Sequence, residues 1–370
     1  MSGHERPSAA RPRLRRPLFA LIAAVAAAVL ATIGTLATAG AEPWVRHAAG
    51  PARDTVPQTH DVATAVATGL RPAATSRAEA HAPGSRPEAA NGDDPTHQDR
   101  PALTGPTRFG VAVHTVRGQS YRQALDQTLN RYGRIGVVRK YYTGLPASWS
   151  RITRDIGSLT PVVSFKAGPS AVLSGRYDAY LRKWFASAPT DRTVYWVYFH
   201  EPENDVAAHA FSAAQYRAAW AHVAELAAAA HRSNLRATLT LMCWTLAPGS
   251  HRDWHDYYAG RRYVDVLAWD CYNKAIQRAG YASPPSMFGQ AVATSRAAGL
   301  PVAFAEMGSK LASGDSGVRR AAWLTEVAQY LSAKDAVFVC YFDSTVGGEF
   351  RLLDRASILA WRAVVSDQRP

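Results

Sequence analysis

The amino-acid sequence predicts a (β/α)8 barrel, preceded by an export segment and a disordered linker. From residue 109 onward, short runs of β-branched and aromatic residues alternate with longer runs of helical period. Eight such pairs occupy about 260 residues, which is a typical length for this barrel. Apolar residues make up 47% of the chain and charged residues 19%. The chain can therefore form a large hydrophobic core, and a wholly disordered chain is excluded.

The N-terminal 41 residues have the pattern of a secretory signal. Arginines between 11 and 16 precede an uncharged apolar run over 18–41, and Ala39-Gly40-Ala41 supplies a cleavage site of small residues. The apolar run is long enough to cross a bilayer, so an uncleaved membrane anchor is the alternative. We expect an extracellular or cell-envelope protein that meets the membrane only through this segment.

Residues 42–105 show no periodic pattern and predict a linker. Prolines recur throughout this segment, and bulky apolar residues are almost absent. Such a segment cannot bury enough surface to offset its conformational entropy, so we expect a disordered spacer before a catalytic domain over 106–370.

The eight predicted strands follow one another through that domain. They cover residues 109–114, 135–142, 161–166, 193–200, 235–244, 264–272, 301–306 and 336–342. The clearest helical pattern between them covers 212–231, where apolar residues recur at spacings of three and four. A helix over 357–365 completes the series. A doubly wound open sheet is the alternative fold, but no Gly-x-Gly-x-x-Gly turn follows the first strand to bind a nucleotide.

The formal net charge of +13 raises nucleic acid as a partner. The arginines of the barrel domain are scattered among helical segments, and no lysine-rich run or ladder of aromatic and basic residues occurs. We therefore predict no nucleic-acid partner. A basic surface that suits an anionic cell envelope is the simpler interpretation.

Two glutamates stand out at the carboxyl ends of the predicted strands, where this barrel carries its chemistry. Glu201 follows strand four and Glu306 ends strand seven. Period-two alternation groups Glu201 with Phe199 and Glu306 with Phe304, so both acids point over the barrel mouth if those faces are inward. Two facing carboxylates at a separation of about 5 Å are what a retaining glycosidase needs.

Three segments resemble a known family when they are taken together. The sequence has Phe-His-Glu at 199–201, Asp-Cys-Tyr at 270–272 and Ala-Glu-Met-Gly at 305–308. In this order and on these strands, they resemble clan A retaining glycoside hydrolases, most closely the β-mannanase-like glycoside hydrolase family 26. The resemblance covers residues 107–365 and implies an endo-acting O-glycosyl hydrolase.

The resemblance implies a role for five residues. Glu201 would be the general acid/base and Glu306 the nucleophile. Tyr272 would hydrogen-bond the nucleophile, and His200 would lie beside the acid/base in the sugar subsite. Arg139, at the end of strand two, would favour the carboxylate form of the nucleophile.

Other polar or aromatic residues at strand ends are further substrate-binding candidates. They are His114, Lys166, Trp244 and Asp270. We predict no metal and no cofactor, because no His-x-His occurs on one strand and the next histidine after His200 is too distant for a helical zinc motif. We expect a monomer with a polysaccharide or oligosaccharide as its substrate.

The segment after Glu201 departs from the family pattern. The family usually has an asparagine two residues after the acid/base, whereas here Glu203 takes that place and the asparagine is Asn204. The substrate is therefore left open among β-mannan, β-glucan and xylan. A catalytically weak or inactive carbohydrate-binding barrel of the cell envelope is the alternative function.

Two cysteines fall on neighbouring predicted strands. Alternation against Trp244 and Tyr272 turns Cys243 and Cys271 outward, beneath the helices. We expect buried free thiols, with a disulfide as the alternative in an exported protein.

Overall fold

The computed structural model describes residues 102–273 and 280–367, which form a closed barrel of eight parallel strands. Each strand pairs with the next, and β8 closes the ring on β1, where Val111 lies opposite Tyr341. The strands are β1 (Arg108–Val113), β2 (Val137–Tyr142), β3 (Thr160–Phe165), β4 (Val194–Tyr198), β5 (Leu235–Met242), β6 (Val266–Tyr272), β7 (Val302–Gly308) and β8 (Phe338–Asp343). The predicted (β/α)8 barrel is confirmed.

Helices fill the connections between the strands. They are α1 (Tyr121–Tyr132), α2 (Trp149–Ile156), α3 (Pro169–Leu173), α4 (Asp178–Ala186), α5 (Glu203–Ala207), α6 (Ala213–Ala228), α7 (Pro284–Ala297), α8 (Val318–Ser332) and α9 (Arg355–Ser366). Ser120 and Ser212 begin α1 and α6 with capping boxes that satisfy the free amides of the first turn. Short 3-10 turns over Cys243–Leu246, Pro248–Ser250 and Trp254–Tyr257 connect β5 to β6.

None of the helices within the described ranges has both the length and the apolar character that a membrane crossing requires. The predicted signal or anchor over 1–41, and the predicted linker as far as residue 101, lie outside the described residues.

The apolar side chains form two clusters on opposite faces of the sheet. The inner cluster fills the barrel, where the rings of Tyr195 on β4 and Phe338 on β8 meet with centroids 4.6 Å apart. The outer cluster joins the strands to the helices, and Trp196 of β4 stacks on Trp220 of α6 at 5.6 Å. The interior is therefore packed, which leaves the carboxyl ends of the strands as the place for a site.

The alternation predicted for strand four is wrong at its end. β4 stops at Tyr198, and Phe199 and Glu201 adopt left-handed backbone conformations with φ of 47° and 49°. Phe199 turns outward and packs edge-to-face on Phe211, with ring centroids 4.9 Å apart. Two left-handed residues break the period of two, so Glu201 does not share a face with Phe199 as we expected.

The alternation predicted for strand seven is wrong for a different reason. Phe304 faces outward and meets Phe288 of α7 at 4.9 Å. The register between β6 and β7 then shifts, because Trp269 pairs with Phe304 while Asp270 pairs with Glu306. The extra residue turns Glu306 into the barrel mouth although Phe304 faces the helices.

The expectation of free thiols at Cys243 and Cys271 is also wrong, because the two residues form a disulfide. β5 and β6 are neighbours, and the Cα atoms of the pair lie 5.1 Å apart, within the range of about 4.4–6.8 Å that a disulfide spans. The remaining cysteine, Cys340, is free and buried inside the barrel.

Candidate active site

Glu306 lies at the end of β7 and accepts hydrogen bonds from three side chains. Arg139 donates through Nη1 to its Oε1 at 3.2 Å, and the hydroxyl of Tyr141 donates to the same oxygen. The hydroxyl of Tyr272 donates to Oε2. Three donors converge on a buried carboxyl group, which suits a carboxylate, since a carboxylate can only accept.

Arg139 is the buried cation of the site. Its Nη1 also donates to Oδ1 of Asp270 at 2.9 Å, and its Nε donates to Oγ of Ser164 at 3.0 Å. Although burial alone lowers the pKa of Arg139, Asp270, Tyr141 and Glu306 outweigh that effect and raise it. The guanidinium is therefore a permanent positive charge between two acids.

Glu201 faces this group from the end of β4. One carboxylate oxygen from each of Glu201, Asp270 and Glu306 lies within 4.8 Å of the others. Burial raises the pKa of Glu201 to about 8, and the negative charge of Glu306 acts in the same direction. Glu201 therefore holds a proton at neutral pH.

The three acids also have a spacing that could hold a metal ion. However, the guanidinium of Arg139 already forms an ion pair with two of them, at 2.9 Å to Asp270 and 3.2 Å to Glu306. A cation between these acids would compete with that buried arginine. The donor set therefore suits two carboxyl groups organised by an arginine better than a metal centre.

Aromatic rings surround the carboxyl pair. The ring of Tyr141 lies 4.7 Å from the ring of His114 and 5.5 Å from the ring of His200. Phe342 packs against His114 at 4.9 Å and against Tyr272 at 5.2 Å. The structure thus brings the predicted residues His114, His200 and Tyr272 together around Glu306, the nucleophile candidate.

Lys166 and Trp244 lie farther out. The ammonium group of Lys166 is 3.4 Å from Oδ2 of Asp205 and 4.9 Å from the ring centre of Phe199. Its charge lowers the pKa of Glu201, against the stronger effect of burial. Trp244, in the 3-10 turn after β5, is 41% exposed and is the most exposed of the predicted site residues.

Sequence reasoning missed three residues of the site. Tyr141 was not predicted as a hydrogen-bond donor to Glu306, although it lies two residues after Arg139 on β2 and so shares its face. Ser164 gave no signal in the sequence, and Glu203 stood out only as a departure from the family pattern. The contacts of both residues depend on other strands.

A comparison of the sequence with protein-family models gave no match, and a comparison with curated proteins gave none either. The fold is similar to that of solved glycoside hydrolases. The catalytic domain of the Bacillus sp. JAMB-750 GH26 endo-β-1,4-mannanase is 15% identical, and the match covers 71% of this chain and 86% of that chain with a TM-score of 0.51. At this identity the likeness establishes the fold, which is the fold of the family that the sequence resembles.

Two further solved structures match at lower TM-scores. A modular endo-β-1,4-mannanase from Cellulomonas fimi is 17% identical over 71% of each chain, with a TM-score of 0.48. A GH128 endo-β-1,3-glucanase from Amycolatopsis mediterranei, in complex with laminaritriose, is 17% identical over 70% of this chain and 99% of that chain, with a TM-score of 0.44. We base the fold comparison on the first structure alone.

Proposed function

We propose that this protein is a retaining glycoside hydrolase that cleaves a β-linked polysaccharide within its chain. The observation that carries the proposal is the pair of carboxyl groups at the ends of β4 and β7, with oxygens of Glu201 and Glu306 within 4.8 Å. Retaining enzymes hold their two carboxyl groups about 5–5.5 Å apart, whereas inverting enzymes leave about 6.5–9.5 Å for a water molecule.

The surroundings of the two acids support different roles. Glu306, held by Arg139 and two tyrosine hydroxyls, attacks the anomeric carbon and forms the glycosyl-enzyme. Glu201, with its pKa raised to about 8, donates its proton to the departing oxygen. The resulting Glu201 carboxylate then removes a proton from the water that releases the sugar.

We propose β-mannan, β-glucan or xylan as the substrate. This rests on the family resemblance and on the fold likeness to an endo-β-1,4-mannanase. Purified protein should release reducing ends from one of these polysaccharides, and nuclear magnetic resonance of the first product should show the β anomer. Release of the α anomer would contradict the retaining mechanism.

The roles of the two acids can be separated with an aryl glycoside whose leaving group needs no proton. Glu306→Ala should abolish its hydrolysis, because no nucleophile remains. Glu201→Ala should still form the glycosyl-enzyme, and added azide should release a β-glycosyl azide. With the Glu306→Ala variant, azide should give the α-glycosyl azide, because it attacks the anomeric carbon of the substrate directly.

Glu326→Ala is the matched control for these variants. Glu326 is an exposed acid on α8, so its removal should leave both the rate and the anomer unchanged. If Glu201→Ala and Glu306→Ala respond to azide alike, the assignment of the two roles is wrong.

A carbohydrate-binding barrel without turnover is the second candidate. Asn204, the asparagine of the altered segment, accepts a hydrogen bond from Nη2 of Arg252 at 2.8 Å and is thereby directed to the β5–β6 connection. This candidate predicts saturable binding of a polysaccharide with no release of reducing ends. Measuring both binding and the release of reducing ends with β-mannan, β-glucan and xylan therefore distinguishes the two functions.

We propose that the chain is exported, on the support of the arginines before the apolar run and of Ala39-Gly40-Ala41. N-terminal sequencing of secreted protein should begin at Glu42. Recovery of the full-length chain in membranes would instead indicate an uncleaved anchor.

A further inference from the structure

We infer that Glu203 is a positioning residue that fixes Trp244 as a stacking platform for the sugar on the leaving-group side of the bond. The inference rests on the proposed function and extends it to a residue that does not contact the reacting atoms. Glu203 lies two residues after Glu201, the acid/base candidate.

The carboxyl group of Glu203 holds the segment that carries Trp244 from both sides. Glu203 is completely buried, and its Oε1 accepts from the backbone N–H of Met242 at 2.7 Å and from Oγ1 of Thr245 at 2.8 Å. Between these two points, the disulfide to Cys271 ties Cys243 to β6. Residues 242, 243 and 245 are thus anchored, while the indole of Trp244 is 41% exposed.

The strand order places this platform on the side of the acid/base. β5 is the direct neighbour of β4, which ends at the turn of Glu201, whereas β6 separates β5 from the strand of Glu306. The backbone N–H of Glu201 also donates to the carbonyl of Thr240 on β5 at 3.0 Å. The leaving group departs towards the acid that protonates it, so an exposed ring in the turn after β5, on the Glu201 side of the barrel, is placed to meet the sugar of the leaving group.

The contacts of Glu203 with the segment that carries Trp244 use only one of its two oxygens. Its Oε2 is buried and has no hydrogen-bond partner in the described part of the chain. Burial raises the pKa of Glu203, whereas the hydrogen bonds from Thr245 and Met242 and the charge of Arg252 lower it by less. The other titratable groups that face it are Glu201, Tyr216 and Tyr257. Both bonds to the segment are accepted by Oε1, and a glutamine would supply the same accepting oxygen.

A pentasaccharide and a phenyl β-glycoside separate the effect of the platform from the effect of the acid. Both are built from the sugar (mannose, glucose or xylose) of the polysaccharide that the wild type hydrolyses. The pentasaccharide and the phenyl β-glycoside both need protonation by Glu201, but only the pentasaccharide has a sugar as its leaving group. Glu203→Ala and Trp244→Ala should each lower kcat/KM for the pentasaccharide about tenfold or more, and should change kcat/KM for the phenyl glycoside less than about twofold. The double variant should be no worse than Trp244→Ala, because both changes remove the same platform.

Two further variants control for structure and charge. Glu203→Gln should behave like the wild type with both substrates. Asp265→Ala is the matched control, because Asp265 also accepts a backbone N–H of β5, that of Ala237 at 2.7 Å, but at the opposite end of the barrel. It should affect the two substrates equally.

Hydrogen exchange of peptides covering 242–246 tests the anchoring without any substrate. Exchange should rise in Glu203→Ala and stay at the wild-type level in Glu203→Gln. Unchanged exchange in Glu203→Ala, or an equal loss with the pentasaccharide and the phenyl glycoside, would overturn the inference. A wild type that hydrolyses neither substrate would overturn the proposed function instead, and the exchange result would still decide whether Glu203 holds this segment.

Discussion

Arg139 connects three other strands of the barrel through one side chain. From β2 it reaches Ser164 on β3, Asp270 on β6 and Glu306 on β7, and it is completely buried. Buried charges are tolerated when they are paired, and removing one partner leaves the others uncompensated. Arg139 therefore supports both the fold of the barrel mouth and the orientation of the nucleophile candidate.

Arg139→Ala should lower the free energy of unfolding by about 3–5 kcal/mol, because it leaves two acids without their cation. Urea unfolding followed by circular dichroism measures this difference. The control is Arg122→Ala, because Arg122 and its partner Asp126 are 50% and 46% exposed. That change should cost about 0–1 kcal/mol. Equal losses of unfolding free energy in the two variants would show that the buried arginine contributes no more to stability than the exposed one.

Glu201 gives the proposed enzyme an alkaline limit. A pKa raised to about 8 by burial means that the acid is protonated below this pH and loses its proton above it. Because the protonated form donates to the leaving group, kcat/KM for the phenyl glycoside should fall as the pH rises through about 8.

A dinitrophenyl glycoside is the control for this pH profile. Its leaving group departs without a proton, so kcat/KM should show no fall near pH 8. A fall near pH 4–5 for the phenyl glycoside, close to the ordinary pKa of a glutamate, would contradict the burial effect.

At the scale of elements, the strands were predictable and their exact ends were not. The observed strands lie within the predicted ranges or differ by one or two residues at their ends, because the runs of β-branched and aromatic residues are long and clear. The left-handed turn at Phe199 and Glu201 and the register shift beside Glu306 were missed. Both depend on how neighbouring strands pair, and a period of two along one strand carries no such information.

The disulfide between Cys243 and Cys271 joins two neighbouring strands beside the site. The two cysteines are 28 residues apart in sequence, so the bond restricts the unfolded chain. Replacing both cysteines with serine should lower the free energy of unfolding by about 3–4 kcal/mol. Urea unfolding with and without a reductant measures the effect.

Cys340→Ala is the control for the disulfide, because Cys340 is unpaired and buried. Reductant should destabilise Cys340→Ala as much as the wild type, and should leave the double serine variant unchanged. If reductant has no effect on the wild type, the pair does not contribute to stability.

At the scale of the whole molecule, the closed ring explains which site residues could be predicted. Tyr272 ends β6, Glu306 lies two residues before the end of β7 and Glu201 lies three residues after β4, so the barrel alone places them at one mouth. Arg139 lies within β2 and reaches Glu306 through its long side chain. Ser164 and Glu203 act through contacts between strands that the sequence does not reveal. The cystine was missed for the same reason, since pairing depended on how closely the ends of β5 and β6 approach.

The backbone of Glu201 is strained at the residue that is the acid/base candidate. A left-handed conformation with φ of 49° costs a non-glycine residue about 1–2 kcal/mol, and glycine or asparagine adopts it more easily. The surrounding contacts, among them the bond from the Glu201 backbone N–H to the carbonyl of Thr240, hold the residue in this conformation. Strained residues of this kind cluster at active sites, which favours the hydrolase over the silent barrel.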